Sequence, residues 1–166
     1  LASGQRELII SSKSSVSSPA WSPNNKQLAF ASTKDGNSEI YVIDLKTKKI
    51  NRLTENLAID TEPAWSPDGK KIIFTSDRSG SPQIYEIDIR TKLKRRLTTT
   101  GNYNARASYL NKTEIILVHR NQTDFNIASL NLNSRELSVL TSTKNDESPC
   151  IAPNGNVIIY STKDGS

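Results

Sequence analysis

Pro63-Ala64-Trp65-Ser66-Pro67-Asp68-Gly69 decides the fold, because it is one of a set. Pro19-Ala20-Trp21-Ser22-Pro23-Asn24 stands 44 residues before it. A degraded copy, Ala107-Ser108-Tyr109-Leu110-Asn111, stands 44 residues after it, and Pro149-Cys150-Ile151-Ala152-Pro153-Asn154-Gly155 follows 42 residues later. A second marker keeps the same beat: Arg52-Leu53-Thr54, Arg96-Leu97-Thr98, Val139-Leu140-Thr141. Two independent markers with one period exclude chance similarity. A repeat of about 40–45 residues holding four strands is the signature of a β-propeller blade.

The repeat from Pro63 to Thr98 reads as four antiparallel strands. Pro63 to Ser66 is a short inner strand, where a proline at the first position forfeits no ladder bond. Ser66-Pro67-Asp68-Gly69 has type I turn chemistry, with Pro presetting φ and Gly closing the turn. Lys71 to Ser76 is β-branched and aromatic, a second strand. Gln83 to Ile89 alternates apolar and polar, a third strand, and Leu93 to Thr98 is the outer strand. The first repeat matches position for position, and the third keeps its strands while losing the Ser-Pro-Asp-Gly turn. The sequence therefore predicts an all-β fold: a β-propeller fragment of four-stranded antiparallel blades. Residues 5–10 read as the outer strand of a preceding blade, 19–54, 63–98 and 107–141 as complete blades, and 149–161 as the inner and second strands of a further one. The two end pieces suit completion of a single blade, within one molecule or between two.

The bulk numbers fit. Of 166 residues only 34% are hydrophobic and 6% aromatic, which suits short alternating strands better than buried parallel ones. The net charge is +5, and basic residues cluster in two runs, Lys46, Lys48, Lys49, Arg52 and Arg90, Lys92, Lys94, Arg95, Arg96. Both fall at the outer-strand phase, where cations guard a sheet edge against pairing with another chain. No stacking aromatics accompany them, so nucleic acid is not an expected partner. No apolar run approaches the length of a membrane span, so no direct membrane insertion is expected. Leu1 to Arg6 read as part of the repeat, without a signal peptide.

Catalytic chemistry is not legible. His119 is the only histidine, and a base needs a partner and an orienter. Cys150 is the only cysteine, which excludes an internal disulfide; replacing Ala20 and Ala64 of the other repeats, it reads as a buried, inert thiol. There is no G-x-S-x-G elbow, no phosphate loop and no Cys/His metal spacing. One polar constellation does recur, in the connections before the inner strands: Ser17-Ser18, Asp60-Thr61-Glu62, Asn104-Ala105-Arg106 and Asp146-Glu147-Ser148. In a propeller these reach the channel mouth, where carboxylates of adjacent blades would hold a hard cation such as Ca²⁺ or meet an entering peptide.

The run Glu62 to Lys70, with Ile73-Phe74-Thr75-Ser76-Asp77 and Gln83-Ile84-Tyr85, resembles the propellers of the TolB family of the Tol-Pal system. Ser3-Gly4-Gln5-Arg6-Glu7-Leu8, Leu28-Ala29-Phe30-Ala31, Asp146-Glu147-Ser148-Pro149 and Val157-Ile158-Ile159-Tyr160-Ser161 fit the same family in the same order, so the resemblance covers nearly the whole chain. It implies a non-enzymatic periplasmic protein, with an α/β domain before a six-bladed propeller. Such a protein binds the periplasmic domain of the Pal lipoprotein at the channel, a contact that colicin-type peptides mimic, and supports outer-membrane integrity and cell division. No cofactor is required, and calcium in the channel is implied. By position the binding rim falls on Ser18, Asp60, Thr61, Glu62, Arg106, Glu147 and Ser148; Arg106 departs from the acidic pattern. The chain lacks the family's α/β domain and its last blades. The competing reading is a substrate-gating propeller of a peptidase whose catalytic domain lies outside this chain.

Overall fold

The computed structural model describes residue 4, residues 6–152 and residues 154–163. Within them lie fourteen strands and no helix. Three four-stranded antiparallel sheets follow one another: β1 (Val16–Trp21) to β4 (Ile50–Arg52), β5 (Asp60–Trp65) to β8 (Lys94–Arg96), and β9 (Tyr103–Tyr109) to β12 (Leu137–Val139). A two-stranded sheet, β13 (Glu147–Ile151) with β14 (Ile158–Ser161), comes last. In every sheet the chain order is the spatial order, so each is a simple up-and-down blade. The inner strands β1, β5, β9 and β13 lie side by side in turn, as they must around a common axis.

The blades stack because each middle strand is apolar on both faces. In β6 (Lys71–Ser76), Ile72 and Phe74 face the first blade and Ile73 faces the third. In β7 (Gln83–Asp88), Ile87 and Tyr85 face the first blade and Ile84 the third. A strand residue alternates sides, so a blade between two others needs this double apolarity. Gly69 closes the predicted turn: its N–H donates to Ser66 O at 2.9 Å, and its φ of +70° is one glycine adopts freely.

The Leu-Thr marker has two jobs. Leu53 and Leu97 enter the cores between blades. The threonine after each turns back onto the third strand of its own blade: Ile40 N donates to Thr54 Oγ1 at 2.9 Å, Ile84 N to Thr98 Oγ1 and Ile127 N to Thr141 Oγ1, both at 3.0 Å. Each hydroxyl donates onward to a carboxylate or amide: Glu39, Gln83 and Asp146 respectively. Blade tops are thus sealed by paired polar groups, as buried polar atoms require.

Three expectations need correction. Residues 6–10 form no strand, because among the described residues no third strand lies beside them to complete a ladder; instead Ile9 and Ile10 pack on Phe30, Tyr41 and Ile43. Gln5, included in that expectation, lies outside the described residues. Within one molecule the end pieces do not pair: among the described residues β13 and β14 pair only with each other. Cys150 is exposed rather than buried, since among the described residues no third strand or further sheet covers β13 and β14.

Candidate functional site

The inner strands are longer than the sequence suggested, and their extra length holds the site. In each, two residues stand opposite one of the neighbouring strand: Ser18-Pro19 opposite Phe30, Glu62-Pro63 opposite Phe74, Arg106-Ala107 opposite Leu117, Ser148-Pro149 opposite Tyr160. These are β-bulges, which bend the strand and re-aim a side chain. The first residue of each pair has positive φ: 51° at Ser18, 54° at Glu62, 54° at Arg106 and 53° at Ser148. Such torsions cost a non-glycine residue on the order of 1–3 kcal/mol and persist only where the surroundings enforce them. The proline that follows in three blades is tolerated because a bulge removes that N–H from the ladder.

All four bulge residues converge. Ser18, Glu62, Arg106 and Ser148, with Pro19, Pro63, Ala64, Ala107, Ser108 and Pro149, line one cleft of about 340 Å³ at the inner strands. Among the described residues that line it, Arg106 is the only cation. The guanidinium donates through Nη1 to Ser148 Oγ at 2.6 Å and approaches Glu147 Oε2 at 3.4 Å, while Nε approaches Glu62 Oε1 at 3.3 Å. Glu62 is more firmly held: its Oε2 accepts from Thr75 Oγ1 at 2.8 Å and from Arg106 N at 3.0 Å. Three blades are thus tied across the mouth by side chains, with one guanidinium between two carboxylates.

The expected rim residues divide. Ser18, Glu62, Arg106 and Ser148 line the cleft, and Glu147 joins through Arg106. Thr61 sits half-buried on β5 opposite Thr75, one residue before the bulge. Asp60 is a correction. It is fully buried, and its two oxygens accept from Arg78 Nη2 at 2.8 and 2.6 Å. Arg78 in turn lies over the rings of Phe74 and Tyr85. Strand alternation turns Asp60 into the blade while Glu62, displaced by the bulge, faces the channel. Asp146 is buried likewise, bonded by Thr141 and Thr143. Burial pushes the Asp146 carboxyl up, but those hydroxyls hold it below the usual carboxylate range.

Sequence reasoning missed the prolines and Thr75 as parts of the site. The prolines read as strand starts, although their fixed place behind each rim residue was the signal. His119, read as structural, is buried with Nδ1 2.8 Å from Asn104 Oδ1, and burial lowers its pKa below 6.5, keeping the ring neutral at pH 7. The donors present do not fit calcium. That ion takes about six to eight oxygens, whereas the cleft offers two carboxylates with Arg106 already between them. Among the described residues no group of three or more acidic, His or Cys side chains converges.

Stacked up-and-down blades with a polar cleft on their inner strands define a β-propeller protein. The residue profile of the TolB beta propeller domain matches residues 1–166. The Tol-Pal system protein TolB of Ruthia magnifica is 49% identical over 152 residues, covering 91% of this chain and 36% of that protein. The crystal structure of TolB from Acinetobacter baumannii superposes with a TM-score of 0.91 at 42% identity, covering 99% of this chain and 42% of that one. A puromycin-hydrolyzing peptidase from Mycobacterium tuberculosis, 15% identical with a TM-score of 0.64, covers 78% of this chain and 21% of that one, and shares the fold alone. The chain belongs to the TolB β-propeller family. It spans little more than a third of the length of its curated relative.

Proposed function

We propose that this chain is a non-enzymatic protein-interaction module of the Tol-Pal system, acting in the periplasm. Its channel-mouth cleft takes the periplasmic domain of the Pal lipoprotein, in service of outer-membrane integrity and cell division. One observation carries the reading: four residues at one phase of the repeat, each on a strained bulge, meet in one cleft. Strain enforced in every blade is what a preorganised binding surface requires. The relatives' membership of a system named for Pal supplies the partner. Colicin-type peptides are a second candidate guest, resting on the family resemblance alone. The chain's single histidine is buried against Asn104, leaving the cleft without a general base of that kind.

The test is isothermal titration of the chain with the periplasmic domain of Pal, in parallel with Glu62→Ala and Thr61→Ala. Saturable binding that Glu62→Ala weakens, with unchanged circular dichroism, supports the reading. Binding indifferent to both substitutions, or none from folded protein, overturns it.

A further inference from the structure

The inner strands are the free edges of their sheets, and a guest in the channel meets those edges first. Edge strands invite pairing with an added strand through their spare N–H and C=O groups. Here the cleft is blunted against it. Pro19, Pro63 and Pro149 have no N–H, and the bulges twist the edge away from a flat ladder. A guest must therefore be recognised by its side chains or its terminus.

Among the described residues lining the cleft, Arg106 is the one cationic group it would find. Of its three nitrogens, Nη2 makes no bond within the described residues, and the contacts to Glu62 and Glu147 are long, at 3.3 and 3.4 Å. The two carboxylates differ. Glu62 is half-buried and anchored by Thr75 and by Arg106 N, so it holds the guanidinium in place. Glu147 is exposed and touches Arg106 by that one long contact. A planar guanidinium pairs best with a carboxylate that meets two of its N–H groups side by side.

We propose that Arg106 is the specificity residue of the cleft: it selects a protein segment presenting a carboxylate, from an Asp or Glu side chain or a chain terminus, which displaces Glu147. This rests on the reading of the cleft as the protein-binding site. Glu147 acts as a built-in stand-in for the guest, keeping the arginine paired when the cleft is empty.

The same titration with the Pal periplasmic domain tests it, using Arg106→Gln and Glu147→Gln. Arg106→Gln weakens binding about tenfold or more, the loss of one charge-assisted pair. Glu147→Gln tightens it several-fold by removing the competitor. Unchanged affinity in Arg106→Gln overturns the proposal while leaving the cleft reading intact. Should Pal not bind at all, that reading fails. The Arg106 Nε–H resonance is then followed with the tripeptide acetyl-Gly-Glu-Gly-amide and with its Gln counterpart. A shift with the Glu peptide alone supports the proposal, and an equal response, or none, overturns it.

Discussion

Trp65 donates its indole N–H to the backbone carbonyl of Ala20 at 3.0 Å, tying the inner strand of one blade to that of the blade before it. The ring is 8% exposed, within the core between the two blades. Trp21 occupies the same place in the repeat yet is 60% exposed, and among the described residues no other sheet lies against that side of its blade. Trp65→Ala should therefore cost about 3–5 kcal/mol, and Trp21→Ala within about 0.5 kcal/mol. Urea unfolding of both variants checks the contrast; equal losses would show that the repeat position, not the neighbouring blade, sets the contribution.

Asp60 and Glu62 are two residues apart and should fail in different assays. Removing the Asp60 carboxylate strands Arg78 in a half-apolar setting, and breaking such a buried pair costs about 3–5 kcal/mol. Asp60→Ala should then lower the unfolding midpoint, while Glu62→Ala lowers affinity for the partner at nearly unchanged stability.

Gly101 has no room for a side chain. A Cβ there would lie 2.4 Å from His119 Cε1 and 2.8 Å from the carbonyl of Arg120, at a φ of +81°. Overpacking of this kind costs about 1–3 kcal/mol, to which the backbone strain adds. Gly101→Ala should reduce the melting temperature by several degrees, whereas Gly36→Ala, with open space around it, pays for the torsion alone.

Mild acid should weaken the fold through His119. Burial lowers the His119 pKa below its ordinary 6.5, so the unfolded chain binds the proton first as pH falls. Stability is whole above about 6.5 and declines as pH drops through that value toward the folded pKa. His119 is the one histidine in the chain, so a single substitution removes its whole share of the slope. Denaturation midpoints at pH 7.5 and 5.5 should differ in the native protein and converge in His119→Gln; a persisting slope would assign it elsewhere.

The fold was legible because its two markers are backbone devices: the Ser-Pro-Asp-Gly turn, altered to Ser-Pro-Asn-Asn in the first repeat and lost in the third, and the threonine capping the third strand, kept in all three. The rim was legible to the position but not to the orientation. Nothing in Asp60-Thr61-Glu62 says which carboxylate turns inward, because Asp60's partner, Arg78, lies 18 residues on, in a loop. The bulge reverses the alternation a strand would otherwise impose, and only Pro63 hinted at it. Cys150 misled for a different reason: burial of an inner-strand residue depends on the sheet beside it, which its own segment does not encode.

The four bulges separate where a side chain points from what it is. Serine, glutamate, arginine and serine occupy successive copies of one backbone torsion. The same strand pairing carries the torsion in each blade, so the side chain at each copy is free to vary, with Glu62 also accepting from the Arg106 N–H of the next bulge. The channel mouth then behaves like a row of interchangeable keys on a fixed frame, and a relative with another partner needs only different residues at these four places.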